Sequence, residues 1–203
     1  FSNRKPERLL DVGAGDGVRG LRIAKASGTS HITQCDSSQE MIERCRLEGA
    51  SEVIHGFAED LPTFNEKFDI VLMLWNVLGH VETREKRVEA LKRIARAMGS
   101  QSVFFLDVNN RHNGASYGWW KVFRRVIVDT ISPDESRGDV SYTWEVDGKS
   151  IPGKGHLFTP SELKVLLREA GLEIRDTFYV DYKTGSVSKN RLRGQMLVQA
   201  GKI

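Results

Sequence analysis

Four glycines fall at Gly13, Gly15, Gly17 and Gly20 in the stretch LLDVGAGDGVRGL (9–21), and Asp11 precedes the first by two positions. Without Cβ atoms, such a run lets a ligand come close to the backbone and lets the chain pass through left-handed conformations. Asp36 ends the apolar run HITQCD, nineteen residues after Gly17. At that place a carboxylate can accept hydrogen bonds from both hydroxyls of a ribose. Alone, Asp36 would read as a cap on the helix that follows; an acid closing a strand–glycine loop–helix–strand unit favours a ligand. Three ligands compete. A phosphate-cradling P-loop needs Gly-Lys-Ser/Thr, which is missing here. A dinucleotide loop, G-x-G-x-x-G, needs its third glycine where Val18 stands, and here that glycine falls one position early, at Gly17. The third is an adenosine-bearing cofactor that has no pyrophosphate but carries an α-ammonium for an acid near Asp11 to hold. A tight turn with no ligand is the remaining reading.

Short apolar runs alternating with amphipathic ones must position these residues. RLLDV (8–12), HITQCD (31–36), EVIHGF (52–57), FDIVLMLW (68–75) and SVFFLDV (102–108) read as strands. Helices are expected over 17–26, over 37–49 with Ser37 and Glu40 as a capping box, and over 83–98. The alternation predicts right-handed crossovers and an α/β fold with a doubly wound, mostly parallel, seven-stranded sheet. The last two strands, 172–182 and 191–200, follow a helix capped by Thr159 and started by Pro160, and are expected to pair antiparallel. Between them and the fifth strand lies a different segment, 110–159, read as a basic amphipathic helix (about 117–131) and a β-ribbon inserted into a single domain, 1–203.

Gross composition narrows the class. The 203 residues are 39% hydrophobic and 28% charged with a net charge of +3, which is ordinary for one globular domain. Cys35 and Cys45 form neither a zinc spacing nor a disulfide framework, so a reducing cytoplasm is the default expectation. No run is long enough to span a bilayer, and FSNRKPER does not read as a signal peptide.

An acid two residues before G-x-G-x-G resembles the first motif of class I S-adenosylmethionine-dependent methyltransferases. GFAEDLPTFNEKFDIVLMLWNVLGHV (56–81) resembles the later motifs of that family, with Phe57 where the family commonly has an acid. LWNVLGHV and DVNNRHN (107–113) are loosely similar to the glycine- and sarcosine-type small-molecule N-methyltransferases. The resemblance implies S-adenosylmethionine as cofactor and S-adenosylhomocysteine as product. It places the cofactor against Asp11, Gly13, Ala14, Gly15, Gly17, Asp36, Ser37, Met41, Phe57, Ala58, Glu59, Leu74 and Trp75.

Methyl transfer from a sulfonium is an in-line displacement whose leaving group is already charged, so no metal is expected and positioning supplies most of the rate. His80, just past the fourth strand, is the candidate base, and Asn76 the candidate for orienting cofactor or acceptor. Asp107, Asn109 and Asn110 end the fifth strand on the acceptor side, with His112 on the same rim. In the insertion, Trp119 and Trp120 are candidate acceptor contacts, and Trp144, Lys154 and His156 could reach over the pocket. A small molecule is the expected acceptor. RNA gripped by Lys183, Lys189, Arg191 and Arg193 is the alternative, as is a lipid-like acceptor met at a membrane surface by the basic helix.

Overall fold

The computed structural model describes residues 5–146 and 149–203. The chain opens with β1 (Arg8–Val12), α1 (Val18–Ser27), β2 (His31–Asp36), α2 (Gln39–Glu48) and β3 (Glu52–His55). It continues through β4 (Phe68–Met73), a single helical turn α3 (Val77–His80), α4 (Arg84–Ala97) and β5 (Met98–Val108). Then come α5 (Gly114–Tyr117), α6 (Trp119–Ile131), the hairpin β6 (Asp139–Val146) and β7 (Lys149–His156), and α7 (Pro160–Glu169). The chain closes with β8 (Leu172–Val180), the two-residue β9 (Val187–Ser188) and β10 (Gln195–Lys202).

The sheet order is β3-β2-β1-β4-β5-β10-β8-β9, and β6 pairs with β7 apart from it. The first five strands run parallel, and β10 lies antiparallel to both β5 and β8. The expected seven strands are all present; the eighth, β9, is a short edge addition. Strand order reverses between β1 and β4, so their carboxyl ends open the crevice in which sheets of this kind bind ligands.

Alternation along each strand divides the core between the two faces. Leu10 and Val12 of β1 join Leu91, Ile94, Leu163 and Leu166 in the larger cluster, while Leu9 faces Ala24 of α1 in the smaller one. Asp11 shares the Leu9 face, so its side chain is directed beneath α1; a Cβ at Gly20 would overlap its carboxylate.

Local chemistry corrects three boundaries. Ser38, not Ser37, caps α2 by accepting from the Met41 amide. Asp36 Oδ1 accepts from Ser38 N at 2.9 Å, which turns the chain one residue later than the sequence implied. The helix expected over about 117–131 is present as α6 but starts at Trp119, because Gly118 with φ +86 separates it from the single turn α5. The fourth strand stops at Met73, because Trp75 and Asn76 both have positive φ. By contrast, Thr159 and Glu162 form a full capping box with Pro160 in the first turn of α7.

Asn110 ties the end of β5 to the chain leading into β10. It is fully buried; its Nδ2 donates to the Arg191 and Gly194 carbonyls at 2.9 and 3.0 Å, and its amide donates to Gln195 Oε1 at 2.7 Å. Leaving the buried Gly194 carbonyl without its donor costs about 1–3 kcal/mol. Asn110→Ala is therefore expected to lower unfolding stability by that amount in urea titrations, with cofactor affinity retained.

Candidate active site

The loop after β1 meets the turn after β4 at the crevice. Gly13 has φ +72 and donates to the Cys35 carbonyl at 2.8 Å. A Cβ there would overlap the Val77 side chain, so this glycine permits close packing of loop on loop. Gly15, with φ +60, differs: nothing lies within 4 Å of where its Cβ would stand. Its bare face opens onto the cavity, as a cradle for a ligand requires. The Gly15 amide donates to Asp36 Oδ2 at 2.9 Å, which fixes the strand-ending carboxylate beside the glycine loop.

On the other side, Trp75 (φ +68) and Asn76 (φ +59) are consecutive left-handed residues. For a bulky residue such as Trp this is a strained conformation, of the kind that surrounding structure must over-determine. The contacts that do so are explicit. The Asn76 amide donates to Asp107 Oδ1 at 2.8 Å, and Asn76 Oδ1 accepts from the Asn109 amide at 2.9 Å. Tyr182 donates to the other oxygen of Asp107, Oδ2, and its ring stacks on Trp75 with centroids 6.1 Å apart. The Arg19 guanidinium lies 5.8 Å from the Trp75 ring centroid. Burial raises the Asp107 carboxyl against the pull of these hydrogen bonds, and burial beside Asp107 raises the Tyr182 phenol.

Between the two loops lies a cavity of about 1180 Å³. Ligand sites generally enclose roughly 300–1,000 Å³, so there is room for a nucleoside cofactor and a second molecule. Gly13, Gly15, Asp36, Ser37, Met41 and Phe57 line it from the loops after β1, β2 and β3, and Asn109, Tyr117, Tyr142, Leu157 and Tyr182 from the segments after β5. His80 stands on the lining at the end of α3. Its Nδ1 is 3.0 Å from the Tyr142 hydroxyl, which donates to the Lys154 carbonyl at 3.0 Å. With Tyr142 donating to that carbonyl, Nδ1–H donates to Tyr142 and Nε2 carries the ring's basic lone pair. Cys35 also reaches the lining, but burial pushes its thiol up to about 12, which removes it as a nucleophile near neutral pH.

The structure sorts the expected residues into two groups. Gly13, Gly15, Asp36, Ser37, Met41, Phe57, Ala58, Glu59, Trp75, Asn76, His80 and Asn109 all line the cavity. The others are placed elsewhere. Asp11 is fully buried under α1, because strand alternation turns it away; Ala14 is buried with its amide on the Cys35 carbonyl. Gly17 is the left-handed cap of α1 beneath Gln34 and Cys45, and Leu74 packs on the smaller core cluster. Asn110 is the clamp described above. His112 is buried with Nε2 at 2.9 Å from Asp129. Trp119 covers Gly114 and Trp120 stacks on Phe123, both away from the cavity. Of the ribbon residues, His156 lines the cavity and Lys154 lends its carbonyl, while the Trp144 side chain lies outside the described residues. Tyr117, Tyr142, Leu157 and Tyr182 are lining residues that sequence reasoning did not single out. Tyr117 had a signal, standing just before the helix-breaking Gly118; the others become neighbours only through tertiary packing.

Comparison with known proteins gives likenesses to methyltransferases. A family model described as a methyltransferase domain matches residues 9–101. A cypemycin N-terminal methyltransferase of Streptomyces sp is 28% identical over 180 residues, covering 82% of this chain and 72% of its own. A probable tRNA methyltransferase 9B of Homo sapiens is 28% identical over 118 residues, covering 55% of this chain but 25% of its own. Among solved structures, S-adenosylmethionine-bound CalS10, an amino pentose methyltransferase from Micromonospora echinaspora, superposes with a TM-score of 0.66 at 16% identity. That match covers 98% of this chain and 84% of the other. At that identity the likeness is one of fold.

The two loop glycines should separate in experiment. Gly15→Ala is expected to cost roughly 1–2 kcal/mol of stability from its left-handed backbone, and to weaken nucleoside binding in calorimetry because the new methyl enters the cradle. Gly13→Ala adds to the same strain about 1–3 kcal/mol of overpacking against Val77, read as a larger drop in melting temperature. Asp11 makes a third expectation. Burial raises its carboxyl from 3.8 to about 6, against the opposing pull of Arg19 and Gln34. The folded state then binds a proton that the unfolded chain has released. Stability contributed by Asp11 is present below about pH 4 and declines by roughly 2–3 kcal/mol as pH rises through about 6. The pH dependence of unfolding for the wild type minus that for Asp11→Asn measures it.

Proposed function

We propose that this chain, whose residues 9–101 match a methyltransferase-domain model, is a class I S-adenosylmethionine-dependent methyltransferase whose acceptor is a small molecule bound where Tyr117, Tyr142 and Tyr182 line the cavity. The residues fit the cofactor on one structural criterion: the space beside Gly15 is open and a carboxylate is fixed next to it at Asp36, which leaves room for a nucleoside and an acceptor for its hydroxyls. Asp36 would take the ribose hydroxyls, the Phe57–Glu59 segment would border the adenine, and the turn at Trp75–Asn76 would border the sulfur end. When bound, S-adenosylmethionine supplies an electrophilic methyl on a positively charged sulfur.

The chain's own residues then have three tasks. Tyr117, Tyr142 and Leu157 exclude water and hold the acceptor in line, positioning of a kind worth roughly 7–11 kcal/mol. His80 would accept on Nε2 the proton that the acceptor loses, a contribution on the order of 10²–10⁴ in rate. Tyr142 fixes the ring's tautomer and angle through Nδ1. The segment 110–159, which supplies Tyr117, Tyr142 and Leu157, acts as the acceptor-recognition insertion of a single-domain enzyme.

The observation that carries this reading is the cavity itself, lined both by the glycine cradle and by a tyrosine-held histidine. RNA as acceptor is less well supported by the basic loop. There Lys189 is ion-paired to Asp176 and Arg193 lies 5.7 Å from the Trp119 ring, so those charges are partly engaged within the fold.

A panel of amine, hydroxyl and carboxylate acceptors assayed for S-adenosylhomocysteine release tests the assignment. Turnover of a small acceptor is the expected result; steeply salt-dependent RNA binding with turnover on RNA alone would replace it. Asp36→Ala should weaken cofactor binding by about 1–3 kcal/mol in calorimetry. His80→Ala should lower kcat about 10²–10⁴-fold with cofactor affinity nearly unchanged. Tyr142→Phe should fall between His80→Ala and wild type and shift the pH–rate profile.

A further inference from the structure

Helix α6 carries an apolar face that no described residue covers. Only Val122 of its thirteen residues is buried. Trp120 is 73% exposed, Phe123 57% and Ile131 78%. At 100° per residue, these side chains with Trp119, Ile127 and Val128 occupy an arc of about 180°. Folded chains rarely leave a contiguous patch of that kind to water unless it meets something.

The charges on the same helix indicate what it meets. Asp129, its only acid, is turned inward: its side chain is 8% exposed, 3.2 Å from Arg111 and 2.9 Å from His112. Lys121 is exposed at the border of the apolar arc and Arg124 is exposed within it, between Ile131 and Val128. The guanidinium of Arg193 lies 5.7 Å from the Trp119 ring centroid and adds positive charge on the same side. The outward surface of α6 is thus aromatic and aliphatic, with cations within it and at its edge, and carries no acid of the helix itself.

Three occupants can be weighed against that pattern. A second copy packed helix to helix about a two-fold axis would bring Lys121 and Arg124 of both chains together with no acid on the face to neutralise them. RNA would use the cations but leave six apolar side chains against phosphate and water. An anionic bilayer satisfies both features, taking aromatic and aliphatic groups at the headgroup boundary and Lys and Arg among the phosphates.

We propose that α6 is an interfacial anchor that lays its Trp120–Phe123–Ile131 face into an anionic phospholipid surface. This goes beyond the acceptor assignment above and does not depend on it. Tyr117, two residues before Trp119, lines the cavity, so docking would bring the cavity wall close to the lipid.

Cosedimentation with vesicles tests it, using phosphatidylcholine alone and phosphatidylcholine mixed with phosphatidylglycerol. Wild-type protein is expected to bind the anionic vesicles at least roughly tenfold more tightly, and less as NaCl is raised. Trp120→Ser with Phe123→Ser should abolish binding to either vesicle. Lys121→Glu with Arg124→Glu should remove the preference for the anionic one. These side chains are exposed, so melting temperature and cofactor affinity should stay at wild-type values and report intact folding. Failure of the wild type to sediment with anionic vesicles overturns the proposal. So does a concentration-dependent dimer in sedimentation velocity that the Trp120→Ser, Phe123→Ser variant dissolves, which would assign the face to a second copy. Because methyl transfer to a soluble acceptor is measured without vesicles, failure here leaves the enzymatic reading intact.

Discussion

The turn between β4 and α3 depends on one buried carboxylate. Two consecutive left-handed residues leave their amides pointing where no strand partner can reach, and Asp107, one strand away on β5, accepts from the Asn76 amide and from the Tyr182 hydroxyl. A fixed acceptor at that point does more than satisfy a donor. It holds Asn76 so that its side chain accepts from the Asn109 amide, and it presses Tyr182 onto Trp75. It also starts α3 at Val77, the residue whose side chain fills the space left by Gly13. Both loops of the crevice therefore take their positions from the same group. Backbone strain at Trp75, roughly 1–3 kcal/mol in such cases, is offset by contacts from β5, α1 and the chain after β8.

A second polar cluster does for the hairpin what Asp107 does for the turn. His156 is almost fully buried between Asp139 at 2.7 Å and Glu162 at 2.6 Å, and packs its edge on Phe158. Arg87 of α4 lies 3.6 Å from Asp139 and donates to the Val81 carbonyl at 3.0 Å. Breaking one partner of such a buried set leaves an uncompensated charge, which is why these clusters resist sliding. The hairpin is thereby held to α7 and α4, and Tyr142 is delivered to His80 from the far side of the cavity.

Much of this architecture was legible in the chain, for reasons that are local. Strand alternation, the Thr159–Glu162 cap, the glycine loop and the acid at Asp36 each express a preference contained within a few residues. The failures are local readings that a neighbour overrode. Ser37 and Glu40 look like a capping box, yet Asp36 captures the Ser38 amide and moves the cap by one. Asp11 looks like a ligand contact by its distance from Gly13, but the period of two in β1 turns it under α1. Trp119 and Trp120 look like pocket aromatics by composition; Gly118 rotates the helix so that they face outward. Asn110 looks like a rim residue by its place after β5, and its two carbonyl partners lie more than eighty residues away in sequence.

The parts of the cavity lined before and after β5 differ in the same way. The first is built from one continuous stretch, β1 through β4, whose loops come to the crevice because each strand ends there. The second is gathered from Asn109, Tyr117, Tyr142, Leu157 and Tyr182, which reach it from β5, α5, the hairpin and its exit, and the chain beyond β8. Parallel strands with helical crossovers return every loop to one edge, so a continuous motif suffices to specify that part of the cavity. No such rule governs segments added after the fifth strand. Their contribution is set by three long-range anchors: Asp107 with Tyr182, His156 with its two carboxylates, and Asn110 with the loop before β10. Substitution within those anchored segments can therefore reshape their side of the cavity while leaving the loop at Gly15 and Asp36 intact, and one carboxylate at the β4–β5 junction holds the two together.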